Sequence, residues 1–430
     1  MLKKLKHSLN DGTQALLGPN IALLRLAGLY LPAGRGARAG CLLLHALGTA
    51  FIVLQYVELY FISDDLHLVV LTLKINMVST NVVMKAFCYV VFKRRWRELL
   101  RYVAAADEAE RARPAAAAAV RRYTALSRRV TAAFCTLSAL TGVTVVLGPY
   151  IKWLSERYLD GAPHPAVDLI YQAYVPWDKT TPRGRLLANI WFALGTLYGC
   201  TVFTAFDVAA VVLMLFLGCK LQLLAARCER LFAPAPAPDR FWETVREVHT
   251  EHVLLIKYSR VFNSLVSPVM FLYALLCSLM LCTTAFQLTS MPMNITEKIM
   301  TVEYLIFGVA QVFMFSWFSN DVLWKSQQAS YGVYCSAWPD AWPTAAGVAA
   351  GAAGAAGAGV EAAAGVAARV AAGSAGARRE AAARRQALRL LAGQLATPVR
   401  FTAGPFADLT LANFINILKG AYSYYTLLKD

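Results

Sequence analysis

Apolar residues gather along this chain into seven long runs, at roughly 39–62, 66–92, 130–151, 189–217, 262–290, 299–318 and 405–428. Each approaches or exceeds the ~20 residues an α-helix needs to cross a bilayer. Backbone polar groups in hydrocarbon must pair within their own segment, so each run predicts a helix. Around these runs the pattern changes rather than stops. In 93–129 and 218–261 apolar residues recur three and four apart among charges, which predicts helices 2 to 5 running on beyond the membrane.

One stretch follows neither pattern. From Thr344 to Ala377, 26 of 34 residues are Ala or Gly. Small side chains bury little area, Gly weakens a helix, and Glu361 and Arg369 interrupt the run, so a flexible insertion at 344–377 is favoured over an eighth span. Beyond it Leu388, Leu391 and Leu395 share one helical face, Arg385 and Arg389 turn away, and Glu380 precedes Arg384 by one turn. Pro398 disfavours continuation and Gly404-Pro405 opens the last span. The expected organisation is a six-helix transmembrane domain at 1–318, a cytoplasmic region at 319–404 and a seventh helix at 405–430.

Composition supports an all-α polytopic membrane protein: of 430 residues 58% are hydrophobic and 16% charged. A net charge of +16 fits either a nucleic-acid partner or basic inner loops, and its distribution decides. Of 42 Lys and Arg residues, 32 lie in the N-terminal segment and in 93–129, 218–261 and 319–400, against 7 in the alternate loops. By the positive-inside rule the N-terminus is cytoplasmic, the C-terminus is extracellular, and no nucleic acid is expected. Asn294-Ile295-Thr296, a glycosylation sequon, then falls outside. The basic N-terminus lacks a signal-peptide core, so no cleaved leader is expected. Nine cysteines and six histidines show no metal-ligand spacing, and no catalytic motif is present, so no metal, cofactor or enzyme activity is expected.

Charges inside the spans are the main chemical oddity: Lys74, Lys85 and Lys419, with the acids Glu58, Asp207 and Glu303 in the first six spans. Each costs at least about 2.5 kcal/mol at mid-membrane unless it finds a partner or water. Lys419 lies about ten residues, or roughly 15 Å, from the C-terminal end, which predicts a water-filled vestibule. A cytoplasmic N-terminus and the absence of Asp/Glu-Arg-Tyr and Asn-Pro-x-x-Tyr motifs count against a G-protein-coupled receptor. A secondary transporter would need related halves, and no internal repeat is seen in the spans.

The stretch SNDVLWKSQQASYGVYCSAW resembles the insect odorant receptor family, with Ser326, Tyr334 and Trp338 at that family's spaced Ser, Tyr and Trp. The terminal SYYT, Ser423 to Thr426, is similar to its closing pattern, and VPWDKTTP and Asp207 resemble weaker family features. The Ala/Gly insertion departs from that pattern. The resemblance implies an odorant-binding subunit of a ligand-gated cation channel. It also implies a heterotetramer with a co-receptor, placed in the plasma membrane of a sensory neuron dendrite. The last helix then lines the pore, with Lys419 and Tyr424 along it, Leu427 as the narrowest ring beside Thr426, and Asp430 at the outer mouth. A small volatile hydrophobic ligand would sit in the outer half of the membrane. The candidates there are Lys74, Met77 and Val78 of span two and Val146 and Tyr150 of span three. Phe192, Leu197 and Tyr198 of span four, Met280 of span five, and Tyr304 and Phe307 of span six complete the set.

Overall fold

The computed structural model describes residues 16–158, 167–231, 238–290, 295–336 and 379–429. They form helices α1 (Gly18–Leu26), α2 (Arg35–Phe61), α3 (Leu66–Val91), α4 (Lys93–Arg111), α5 (Ala117–Tyr158), α6 (Pro182–Glu229), α7 (Pro238–Ser290), α8 (Ile295–Tyr334), α9 (379–395) and α10 (Leu411–Lys429). The two short strands β1 (Thr402–Ala403) and β2 (Ala407–Asp408) pair antiparallel. Among the described residues six helices, α2, α3 and α5 to α8, are long and apolar enough to cross a membrane; α10 is not one of these six and covers the run expected from sequence to be the seventh span. The chain divides into two compact units, 1–216 with 260–320 and 400–430, and 217–259 with 321–399. The Ala/Gly run at 344–377 lies outside the described residues.

In the first unit, residues 202–216 of α6 are buried on every side, as a helix apolar all round must be. Asp65 caps α3, its carboxylate accepting from the Leu68 N–H at 3.1 Å. Helical periodicity continues from α3 into α4, yet the helix breaks at Phe92. In one straight helix Tyr89 and Trp96 would stand about 10 Å apart along the axis. Their rings instead stack at 4.4 Å, and the fully buried Trp96 packs edge-on against Phe206 and Phe262. Burial of that indole outweighs a few helical hydrogen bonds.

The last span starts six residues later than Pro405. Gly404, at φ +66°, turns the β1–β2 hairpin, and its N–H donates to Ser267 Oγ at 2.9 Å. Thr402 N donates to Asn263 Oδ1 at 2.9 Å, so the hairpin is fastened to α7 before α10 begins. A Cβ at Gly404 would stand 2.9 Å from the Phe271 ring, a second reason for glycine there.

The second unit is built on the leucine face read from sequence. Leu388, Leu391 and Leu395 of α9 are buried with Leu224, Phe241 and Val248. Arg384 donates to Glu380 at 2.9 Å and the Trp242 indole donates to the same carboxylate oxygen at 3.0 Å, which together hold that acid below its usual range. Ser326 fastens the chain after α9: its hydroxyl donates to Leu323 O at 2.7 Å and accepts from the Val399 N–H at 3.0 Å. Leu395 is fully buried. Leu395→Ala is expected to destabilise this unit by about 2–5 kcal/mol through the cavity it leaves, read as an earlier melting transition of purified protein. An unshifted transition would mean that α9 does not hold the unit together.

Candidate ligand-binding site

Within the first unit α2, α3, α5, α6, α7 and α8 enclose a cavity of about 100 Å³. Its walls are Met77, Val78 and Val82 from α3, Phe203 from α6, Met280 from α7 and Phe307 from α8. Space exists because α6 presents Gly195, Thr196 and Gly199 there instead of large side chains. The loop 167–181 folds over one end. Tyr171, nine-tenths buried, lines the cavity and shares a 2.7 Å hydrogen bond with Thr196. Ala173 and Val175 are buried behind it with Phe51 and Phe192. The turn VPWDKTTP closes this cap. Asp178 accepts from the backbone N–H of Thr180 at 2.8 Å and from its hydroxyl at 2.7 Å, bonds that lower that acid's pKa. Trp177 donates to Gly184 O at 3.1 Å, and Lys179 ion-pairs with Glu58 of α2 at 2.6 Å.

The opposite end is polar. Gln311 and Tyr273 line it, the tyrosine hydroxyl donating to Gln311 Oε1 at 2.7 Å. Gln311 Nε2 donates in turn to Asp207, whose other oxygen pairs with Lys85 at 2.7 Å. Both charges are fully buried. The ammonium also sits 3.4 Å from the centroid of the Phe203 ring, a cation–π contact in a desolvated place. Along α8, Tyr304 and Gln311 are seven residues apart, so the cavity runs roughly 10 Å between them.

Five of the predicted residues meet at this cavity: Met77, Val78, Met280, Tyr304 and Phe307. Phe192 stands behind the wall, with its ring 6.1 Å from both Phe51 and Tyr171. Lys74 is likewise one layer out, donating to Gln287 at 3.0 Å and lying 5.1 Å from the Tyr304 ring centroid. On α5 it is Val145 that reaches the cavity; Val146 and Tyr150 are half-buried away from it. Leu197 and Tyr198 line a neighbouring apolar cleft of about 700 Å³, with Leu23, Leu44 and Leu47; Phe51, Ser138, Gly195 and Cys200 form the wall it shares with the cavity. Phe51, Gln55, Tyr171, Tyr273 and Gln311 also line the cavity and are not among the residues expected from sequence. The two glutamines inside apolar runs were the available signal.

On α10, Lys419 and Tyr424 are exposed, while Ala421 is buried and Phe414 packs edge-on against Phe313. Thr426 turns its hydroxyl back to Ser423 O at 2.8 Å. The Leu427 side chain, Asp430 and Asn294 lie outside the described residues.

Residues 65–345 match the family model described as 7tm Odorant receptor. Odorant receptor Or2 of Anopheles gambiae is 22% identical over 389 residues, covering 88% of each chain. Odorant receptor 10 of Aedes albopictus is 24% identical over 179 residues, 42% of this chain and 37% of that one. The fold is that of the insect olfactory receptor OR5 from Machilis hrabei, at TM-score 0.72 and 14% identity over 95% of this chain and 96% of the other. The structure of OR5 in complex with eugenol matches at TM-score 0.73, again at 14% identity, over 97% and 99%.

Proposed function

Because this chain belongs to the 7tm odorant receptor family, we propose that it is the odorant-binding subunit of a ligand-gated cation channel and that its cavity takes a small volatile molecule. The carrying observation is the capped cavity itself, walled by apolar and aromatic side chains with a polar end, which favours a small ligand held by burial and dispersion. The OR5 relative, whose fold this chain shares, was solved with eugenol bound, which supports a small-molecule ligand here. Partners on this reading are a co-receptor completing a heterotetramer and the surrounding lipid, in the plasma membrane of a sensory neuron dendrite, with the N-terminus cytoplasmic. Coexpression with the family's co-receptor and current recording against a volatile panel tests it. A ligand-dependent cation current is expected; surface-expressed receptor that neither binds nor responds to any volatile contradicts it.

The pore on this reading follows α10, with Leu427 as a gate that closes by excluding water, Thr426 beside it and Asp430 favouring cations at the mouth. Lys419, exposed on α10, then sits in the inner vestibule. Lys419→Met removes a positive charge from a cation path, so single-channel conductance is expected to rise with surface expression unchanged. Identical conductance in the variant would remove Lys419 from the ion path.

A further inference from the structure

Beneath the cavity, four helices meet at charges and amides that burial of an apolar ligand does not require. Asp207 of α6 accepts from Gln311 of α8 and ion-pairs with Lys85 of α3, while Tyr273 of α7 donates to the other end of the Gln311 amide. A carboxylate can only accept, so it draws the amide nitrogen and leaves the amide oxygen to Tyr273. Lys85 supplies the countercharge that lets a carboxylate stand there. The Gln311 orientation is therefore fixed, and the nitrogen's second proton is the donor that this cavity-lining residue has left to give.

A second residue lining the cavity carries an acceptor without a partner. Asn81, 3% exposed and lining the cavity, donates from Nδ2 to Met77 O at 3.2 Å, which fixes its own amide; its Oδ1 is buried with no hydrogen bond. It lies one turn from Lys85 on the same face of α3. A buried acceptor left unpaired is costly, and a ligand hydroxyl relieves it while accepting from Gln311.

We infer that the cavity selects a neutral hydroxyl-bearing volatile, an alcohol or a phenol, whose O–H donates to Asn81 Oδ1 and whose oxygen accepts from Gln311 Nε2. The carbon skeleton extends toward Tyr304. Lys85 and Asp207 are positioning residues. The inference rests on the reading of this cavity as the odorant site.

The test uses isosteric triplets on purified full-length receptor, with affinity taken from ligand-dependent melting. Octanol, heptyl methyl ether and nonane form one triplet; phenethyl alcohol, benzyl methyl ether and propylbenzene form the other. The alcohol can donate and accept, the ether can only accept, and the hydrocarbon does neither. In at least one triplet the alcohol is expected to bind about tenfold tighter than the ether, and the ether about tenfold tighter than the hydrocarbon. Asn81→Leu should erase the first step alone and Gln311→Leu the second. The paired change Lys85→Met with Asp207→Leu should shrink the second step while leaving hydrocarbon affinity in place. Equal binding within both triplets, or grading that survives both leucine variants, overturns the inference while leaving the odorant site intact. Failure of both triplets and the volatile panel to bind overturns both.

Discussion

Lys85→Met alone is expected to yield almost no monodisperse receptor, because it strands a fully buried carboxylate among apolar helices. The Asp207 charge has Lys85 at 2.7 Å and the Gln311 amide as partners. Removing one member of such a pair destabilises by about 3–5 kcal/mol, since the remaining charge keeps its desolvation penalty and loses its compensation. Replacing both, Lys85→Met with Asp207→Leu, removes the penalty together with the attraction and is expected to recover most of the lost yield and melting temperature. Size-exclusion profiles of the tagged single and double variants check this. A single variant as well behaved as the native chain would show that the pair does not hold these four helices together.

Gly199→Leu is expected to abolish ligand response while leaving the protein folded. Gly199 lines the cavity, and a Cβ there meets only Val82 Cγ2, at an ordinary 3.9 Å. A leucine therefore fits its helix, gains roughly 1 kcal/mol of helix propensity over glycine, and fills the space a ligand would take. The neighbouring glycines make poorer tests. A Cβ at Gly195 would stand 2.7 Å from Phe51 and one at Gly308 2.5 Å from Met280, so substitution there disturbs packing as well. At Gly199 a loss of at least about 100-fold in agonist potency is expected, about 2.7 kcal/mol, with normal surface expression. Unchanged potency would place the ligand elsewhere.

The helices were legible because membrane spans must be apolar and helical, and the α9 core because Leu388, Leu391 and Leu395 repeat at the helical period. The break at Phe92 was not, since periodicity persists across it and the stacking of Tyr89 on Trp96 is tertiary. Nor was the hairpin at Gly404, whose partners Asn263 and Ser267 lie far back in the chain. At the cavity large apolar side chains were legible but helical phase was not: one position separates Val146 from the lining Val145, and Leu197 lines only the neighbouring cleft, whereas Gly195 lines both. Lys85 and Asp207 were each visible as intramembrane charges; that they are partners is a fact of helix packing.

On the proposed function the ligand lies in the cavity capped by Tyr171 and floored by Gln311. A density map of the assembled receptor with the most potent agonist of the panel decides the location. Ligand density between Tyr171 and Gln311, against Met77 and Phe307, is predicted. Density confined to the cleft beside Leu197 and Tyr198, with the cavity empty, would contradict it.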